Sequence, residues 1–210
     1  MSKKIKVWGR LTSSNVKKVM WLADELKLDV ERVDAGLQFG VVNTPAYKAL
    51  NPNSRIPTIE DGDYILWESN SIMRYLCMKY NGETFYPADP AIRADIDRWL
   101  DWSLSTLVPV DSPLFIGTIR TPVDQQDKAR IASNGKIVAD IYGILDRRLE
   151  GRDYLVNDFS IADMVLSIFY DRWLRNPFLT GQSKFENLAA WHARMHQRHG
   201  FQKFVEVPLE

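Results

Sequence analysis

The sequence predicts an α/β domain over residues 1–81, a stiff linker over 82–90 and an all-helical bundle over 91–210. Three observations carry this expectation. Short strand-type runs alternate with helix-type apolar stripes only in the first part of the chain. Tyr86-Pro87-Ala88-Asp89-Pro90 gathers proline where the pattern changes. Beyond residue 90 strand signals vanish and long helical periodicities replace them.

In order along the first domain, Ile5-Lys6-Val7-Trp8 reads as a strand, and Asn15 to Leu26 as a helix with the stripe Val16, Val19, Met20 and Leu22. Val30 to Val33 is the second strand. After a polar, glycine-containing loop, Thr44-Pro45 opens a short helix by the N-cap and N1-proline pattern. Pro57 lacks an N–H, so the strand containing Thr58-Ile59 must begin or bend there, which leaves the Ile56 backbone free. Asp61-Gly62 is a hairpin turn leading into Tyr64-Ile65-Leu66-Trp67. Ser69 then stands where an N-cap belongs, ahead of the apolar positions Ile72, Met73, Leu76 and Met78. Asn81-Gly82 closes that helix, giving the order β-α-β-α-β-β-α.

In the second domain Asp89-Pro90 starts a long helix running through Trp99, Leu100, Trp102, Leu104 and Leu107. Thr121-Pro122-Val123-Asp124 reads as a capping box for a helix to about Glu150, and Ser160-Ile161-Ala162-Asp163 as a second one, with Phe159 as its staple. The last helix spans roughly Asn187 to His199.

Composition narrows the function. Twenty-seven basic and 27 acidic residues cancel, so nothing argues for a polyanionic partner such as nucleic acid. No apolar run approaches membrane-spanning length, and the N-terminal segment is too short in apolar residues for a signal peptide. A single cysteine, Cys77, excludes an intrachain disulfide and a Cys-x-x-Cys redox centre, fits a cytoplasmic setting, and falls on the buried side of its helix. Trp21, Trp67, Trp99 and Trp173 read as packing groups. His192, His196 and His199 share one helix face, but no carboxylate or cysteine completes a ligand set within that segment; they read as surface and interface histidines, with no metal.

Residues 51–76, Asn-Pro-Asn-Ser-Arg-Ile-Pro-Thr-Ile followed by Trp67-Glu68-Ser69, resemble the glutathione-binding half-site of the glutathione transferase superfamily, whose hallmark is a cis-proline followed by a Glu-Ser pair. The first domain then resembles the thioredoxin-like module of that superfamily. The resemblance implies that Ile56, before Pro57, pairs its main chain with the cysteinyl unit of glutathione, while Glu68 and Ser69 hold the γ-glutamyl end. An extended peptide adding to a free strand edge is a known recognition mode, and a helix N-terminus favours a carboxylate. Arg55 offers a charged fork for the glycyl carboxylate. The Ser160–Asp163 box matches the family's N-capping box; Asn157 stands where a glycine is usual, a position at which asparagine tolerates the left-handed conformation.

Within the same resemblance, Gly9-Arg10-Leu11-Thr12-Ser13-Ser14-Asn15-Val16-Lys17-Lys18-Val19 is similar to the first loop of bacterial serine- and asparagine-type members, theta- or nu-like. It implies Ser13 as donor to the glutathione sulfur, with Asn15 or Thr12 as helper or substitute. Taken alone, three hydroxyls and an amide at a helix start are also what redundant caps would look like. Lowering a thiol pKa from about 8.5 to about 6.5 takes roughly 2.7 kcal/mol. One hydrogen bond to a charged sulfur supplies about 1.5–3 kcal/mol, and a helix N-terminus about 0.3–1 kcal/mol. No metal or general base is needed. The expected activity is attack of the glutathione thiolate on a small apolar electrophile, with Leu11, Trp102, Leu107 and Phe115 as apolar contacts. A glutathione-dependent peroxidase or disulfide reductase and a binding-only protein are the alternatives. The family further implies a homodimer.

Overall fold

The computed structural model describes residues 4–179 and 185–210. The chain divides into two compact units, one comprising 1–86 and 200–207 and the other 87–199 and 208–210.

The first unit is a four-stranded mixed sheet with helices. Its strands are β1 (Ile5–Trp8), β2 (Val30–Val33), β3 (Thr58–Asp61) and β4 (Tyr64–Trp67). They lie in the order β2-β1-β3-β4; β1 runs parallel to β2 and antiparallel to β3, and β3 antiparallel to β4. Ile5 and Val7 on β1 and Ile59 on β3 point into the core, while Lys6 and Trp8 stay half-buried, the period-2 signature of a sheet with unlike faces. The helices are α1 (Ser14–Glu25), the short α2 (Pro45–Leu50) and α3 (Ser69–Lys79). Thr44 caps α2 as expected, its hydroxyl accepting from the Tyr47 N–H.

Helix phase departs from the expected stripes in two places. Met20 is half-buried, while Trp21 and Ala23 join the core. On α3, Cys77 is buried and Met78 is 61% exposed. Trp67 is exposed rather than a packing group, and lies on β4, the edge strand of the sheet.

The second unit is all-helical. Helix α4 (Pro90–Trp102), capped by the Asp89 carboxylate on the Ala91 and Ile92 N–H groups, continues through a π-helical stretch, Ser103–Leu107, into α5 (Val108–Phe115) and a second such stretch, Ile116–Arg120. Helix α6 is Lys128–Arg148, α7 is Ile161–Leu174 and α8 is Glu186–His196. Thr121-Pro122 does not open α6. The Thr121 hydroxyl instead donates back to the Ile116 carbonyl, finishing the preceding helix, and Asp127 caps α6 through the Arg130 N–H.

The Ser160–Asp163 box forms as expected, ahead of a helix buried on every side from Ile161 to Trp173. Phe159, ahead of the box, meets the Tyr154 ring and the Arg198 guanidinium. Asn157 is not among the residues with positive φ, so it takes no left-handed conformation.

The helix expected over roughly 187–199 is α8, which ends at His196, and a further short helix, α9 (His199–Phe204), follows it. After the break the chain rejoins the first unit, so the helical part does not run uninterrupted to residue 210. Gly200 packs on the Trp21 indole, where a Cβ would stand 2.1 Å from Cδ1; Phe201 meets the same ring edge-on, and Lys17 donates to the Val205 carbonyl. No helix among the described residues is long and apolar enough to cross a membrane.

Candidate functional site

A buried polar network shapes the turn before β3. Asn51, 2% exposed, donates through Nδ2 to the Arg55 carbonyl and to Thr58 Oγ1, and its Oδ1 accepts from the Asn53 backbone and side chain. The Tyr47 hydroxyl donates to the same Arg55 carbonyl at 2.7 Å; with its one proton used there, it accepts from Thr58 Oγ1 at 2.9 Å. Burial raises the Tyr47 hydroxyl above its ordinary pKa, so it stays a neutral donor. Ser54 takes the left-handed region (φ 54°), and the Ile56–Pro57 peptide is cis. The consequence falls on Ile56, whose N–H and C=O make no hydrogen bond among the described residues. A half-buried backbone edge with both groups open is what an extended peptide ligand needs.

The floor of this edge is set by Gly9, at the end of β1 (φ 153°). A Cβ there would stand 2.4 Å from Val16 Cγ2 and 3.3 Å from Ile56 Cβ, so α1 and the turn both approach the backbone closely.

Opposite lies the start of α3. Ser69 is not its N-cap but its first helical residue; Glu68 holds the cap position with φ 72° and makes no side-chain cap bond. A positive φ at a non-glycine residue costs about 1–3 kcal/mol and persists where the surroundings impose it. Glu68 thus leaves the start of this 11-residue helix without its own side-chain cap, at the helix end that favours an anion. The Ser69 hydroxyl donates to Asn15 Oδ1 at 3.3 Å, linking the starts of α1 and α3 across the sequence.

Asn15, Asn51, Asn53, Arg55, Ile56, Pro57, Glu68 and Ser69 line one cavity of about 280 Å³. All five expected ligand-holding residues and Asn15 are therefore brought together. Arg55 is exposed and forms no ion pair among the described residues. Ser13 and Thr12 are close in sequence but do not line this cavity. Ser13 is the N-cap of α1, with a hydroxyl in no hydrogen bond; Thr12 Oγ1 is buried and equally without a partner. Two unengaged hydroxyls beside an uncapped helix start are donors in reserve for an anion. A larger cavity, about 740 Å³, lies in the helical unit around Ile131, Trp173 and Phe178.

Comparison with known proteins fits this geometry. The model of the glutathione S-transferase N-terminal domain matches residues 3–77, and that of the C-terminal domain matches residues 100–199. The chain belongs to the glutathione S-transferase family. The transferase is 34% identical to glutathione S-transferase GstB of Escherichia coli (strain K12), over 98% of this chain and 99% of that one, and 30% identical to glutathione S-transferase 3 of Zea mays, over 98% and 95%. Among solved structures it is similar to the theta class glutathione S-transferase from the citrus canker pathogen Xanthomonas axonopodis pv. citri with glutathione bound, at 40% identity and a TM-score of 0.93, covering 98% and 99% of the two chains. The thioredoxin-like first unit and helical second unit are those of the family.

Sequence reasoning missed Tyr47, Asn51 and Thr58, which hold the turn; Asn51 also lines the cavity. One local signal was available: Asn51 and Asn53 have the spacing of an Asx turn, in which the first side chain accepts from the backbone two residues on. Of the apolar contacts, Leu107 and Phe115 are buried, Phe115 under the Arg172 guanidinium, while Leu11 and Trp102 are half-buried.

Proposed function

We propose that this transferase holds glutathione along residues 51–69 and uses its thiolate to attack a small apolar electrophile. The observation that carries the reading is the Ile56 backbone, open at both N–H and C=O, facing an uncapped helix start that carries Glu68 and Ser69. In this reading Ile56 pairs with the cysteinyl unit, the start of α3 with Glu68 and Ser69 takes the γ-glutamyl end, and Arg55 takes the glycyl carboxylate. The sulfur lies toward the start of α1, where Ser13 donates to it. Asn15 is the helper: its Oδ1 is occupied by Ser69, which leaves its Nδ2 as a second donor. Thr12 is the substitute donor.

The test is the ultraviolet thiolate absorbance of bound glutathione as a function of pH. Loss of one charged hydrogen bond, about 1.5–3 kcal/mol, raises the apparent thiol pKa by about 1–2 units in Ser13→Ala. The same shift in Thr12→Ala with none in Ser13→Ala would transfer the role to Thr12, and no shift in either would remove both. The Asn15–Ser69 bond also supports a second reading, thiol–disulfide exchange or peroxide reduction at the same site, which turnover of a glutathione mixed disulfide separates from conjugation. Exposed Tyr64, Ile65 and Trp67 on β4 and Met78 on α3 support a homodimer.

A further inference from the structure

The second unit holds a group of donor atoms that the thiol chemistry does not use. Asp171, on α7, is 1% exposed. Its Oδ2 accepts from Arg175 Nε at 2.9 Å, one helical turn along. Its Oδ1 is buried, accepts no hydrogen bond, and lies 3.4 Å from Nε2 of His192 on α8. His196 follows one turn later on the same side of α8, its ring centroid 4.4 Å from that of His192. One donor atom from each of Asp171, His192 and His196 lies within 4.8 Å of the other two. His199 is left out because α8 ends at His196. The sequence reading found no carboxylate for these histidines within their own segment; the carboxylate comes from α7.

We propose that Asp171, His192 and His196 bind a divalent transition-metal ion of the Zn²⁺ class. Two imidazoles and a carboxylate are the donor set such ions prefer, and three protein ligands leave a fourth position for water, on the half-buried His196 side. Around a tetrahedral Zn²⁺ with bonds near 2.0–2.2 Å, ligand atoms stand about 3.3 Å apart. The Asp171–His192 separation of 3.4 Å meets that already, and His196 closes the remainder by a side-chain rotation. Arg175 supplies what outer-sphere partners supply in metal sites, a hydrogen bond on the distal carboxylate oxygen that turns the other oxygen inward. The ion ties α7 to α8 and takes no part at the glutathione edge, so this inference stands independently of the proposed reaction.

The experiment is titration of the full chain, first stripped with a chelator, with Zn²⁺ as the only added ligand, followed by calorimetry and by proton NMR of the imidazole ring signals. The chain has three histidines, which makes the spectrum decisive. One Zn²⁺ binds per chain, the His192 and His196 signals move, and the His199 signal stays in place. His196→Ala weakens binding at least about 100-fold, the upper range for losing even an outer-sphere partner, and His199→Ala leaves it unchanged. Absence of saturable binding, a shift pattern that includes His199 or omits either of the other two, or equal affinity in His196→Ala overturns the proposal. Because the two-signal pattern is read in the unaltered chain, a variant that fails to fold does not hide the answer.

Discussion

The starts of α3 and α7 are both marked by a serine and a nearby acid, and they are built for opposite ends. At α7 the Asp163 carboxylate is fully buried and takes hydrogen bonds from the Leu155 N–H, the Trp191 indole, and the backbone and hydroxyl of Ser160. Every donor around it is used, and the helix behind it is core throughout. At α3 the acid, Glu68, is exposed, makes no side-chain cap bond and sits at a positive φ. Satisfied polar groups fix a fold; open ones, held in place by their surroundings, wait for a ligand.

The comparison breaks most visibly at Asp163. Asp163→Ala leaves at least three buried donors without an acceptor and is expected to cost about 3–5 kcal/mol in urea unfolding. Asp163→Asn is expected to cost nearly as much, because its amide NH₂ faces other donors; a loss below about 1 kcal/mol in either variant would mean the box is ornamental.

At Glu68 the signs divide. Glu68→Gly relieves the strained φ, so thermal stability holds or rises by about 0.5–1 kcal/mol. Glutathione affinity falls about 10–100-fold as a charged contact of about 1.5–3 kcal/mol is lost. A variant that loses stability while binding normally would turn Glu68 into a structural residue and erase the contrast.

Asp61 is the intermediate and smallest case, a satisfied carboxylate near the surface. Burial works to raise its pKa, but hydrogen bonds from Lys79, Tyr80 and Tyr75 outweigh that and hold it below the ordinary value. The folded chain thus binds this proton more weakly than the unfolded chain. The stabilisation is complete above the ordinary carboxylate pKa of about 3.9 and is lost as pH falls through the lower folded value. Asp61→Asn is expected to lose about 1 kcal/mol near neutral pH, the pair to Lys79 being partly solvated, and to flatten the acid side of the stability–pH curve. An unchanged acid limb would assign that limb to other carboxylates.

What the sequence disclosed, and what it withheld, follows the range of the interactions. All four strands, the Thr44 and Asp89 caps and the Ser160–Asp163 box were legible because each is decided within a few residues. The start of α6 was misread since Thr121-Pro122 and Asp127 both look like caps, and the contact of Thr121 with Ile116 behind it decided between them. At the candidate site the residue types were legible through the family resemblance. The Asn15–Ser69 bond joins residues 54 apart, and the carboxylate beside His192 comes from a different helix; no periodicity announces either. The return of the chain end to Trp21 was invisible for the same reason.

That return governs how this protein can be taken apart. Since residues 200–207 complete the first unit after the chain has already passed through the second, no single cut yields two whole pieces. Exchanging the helical segment 87–199 for that of a relative needs two junctions, and trimming the tail before Gly200 strips the cover from Trp21, at the far end of the molecule's sequence from where the damage appears.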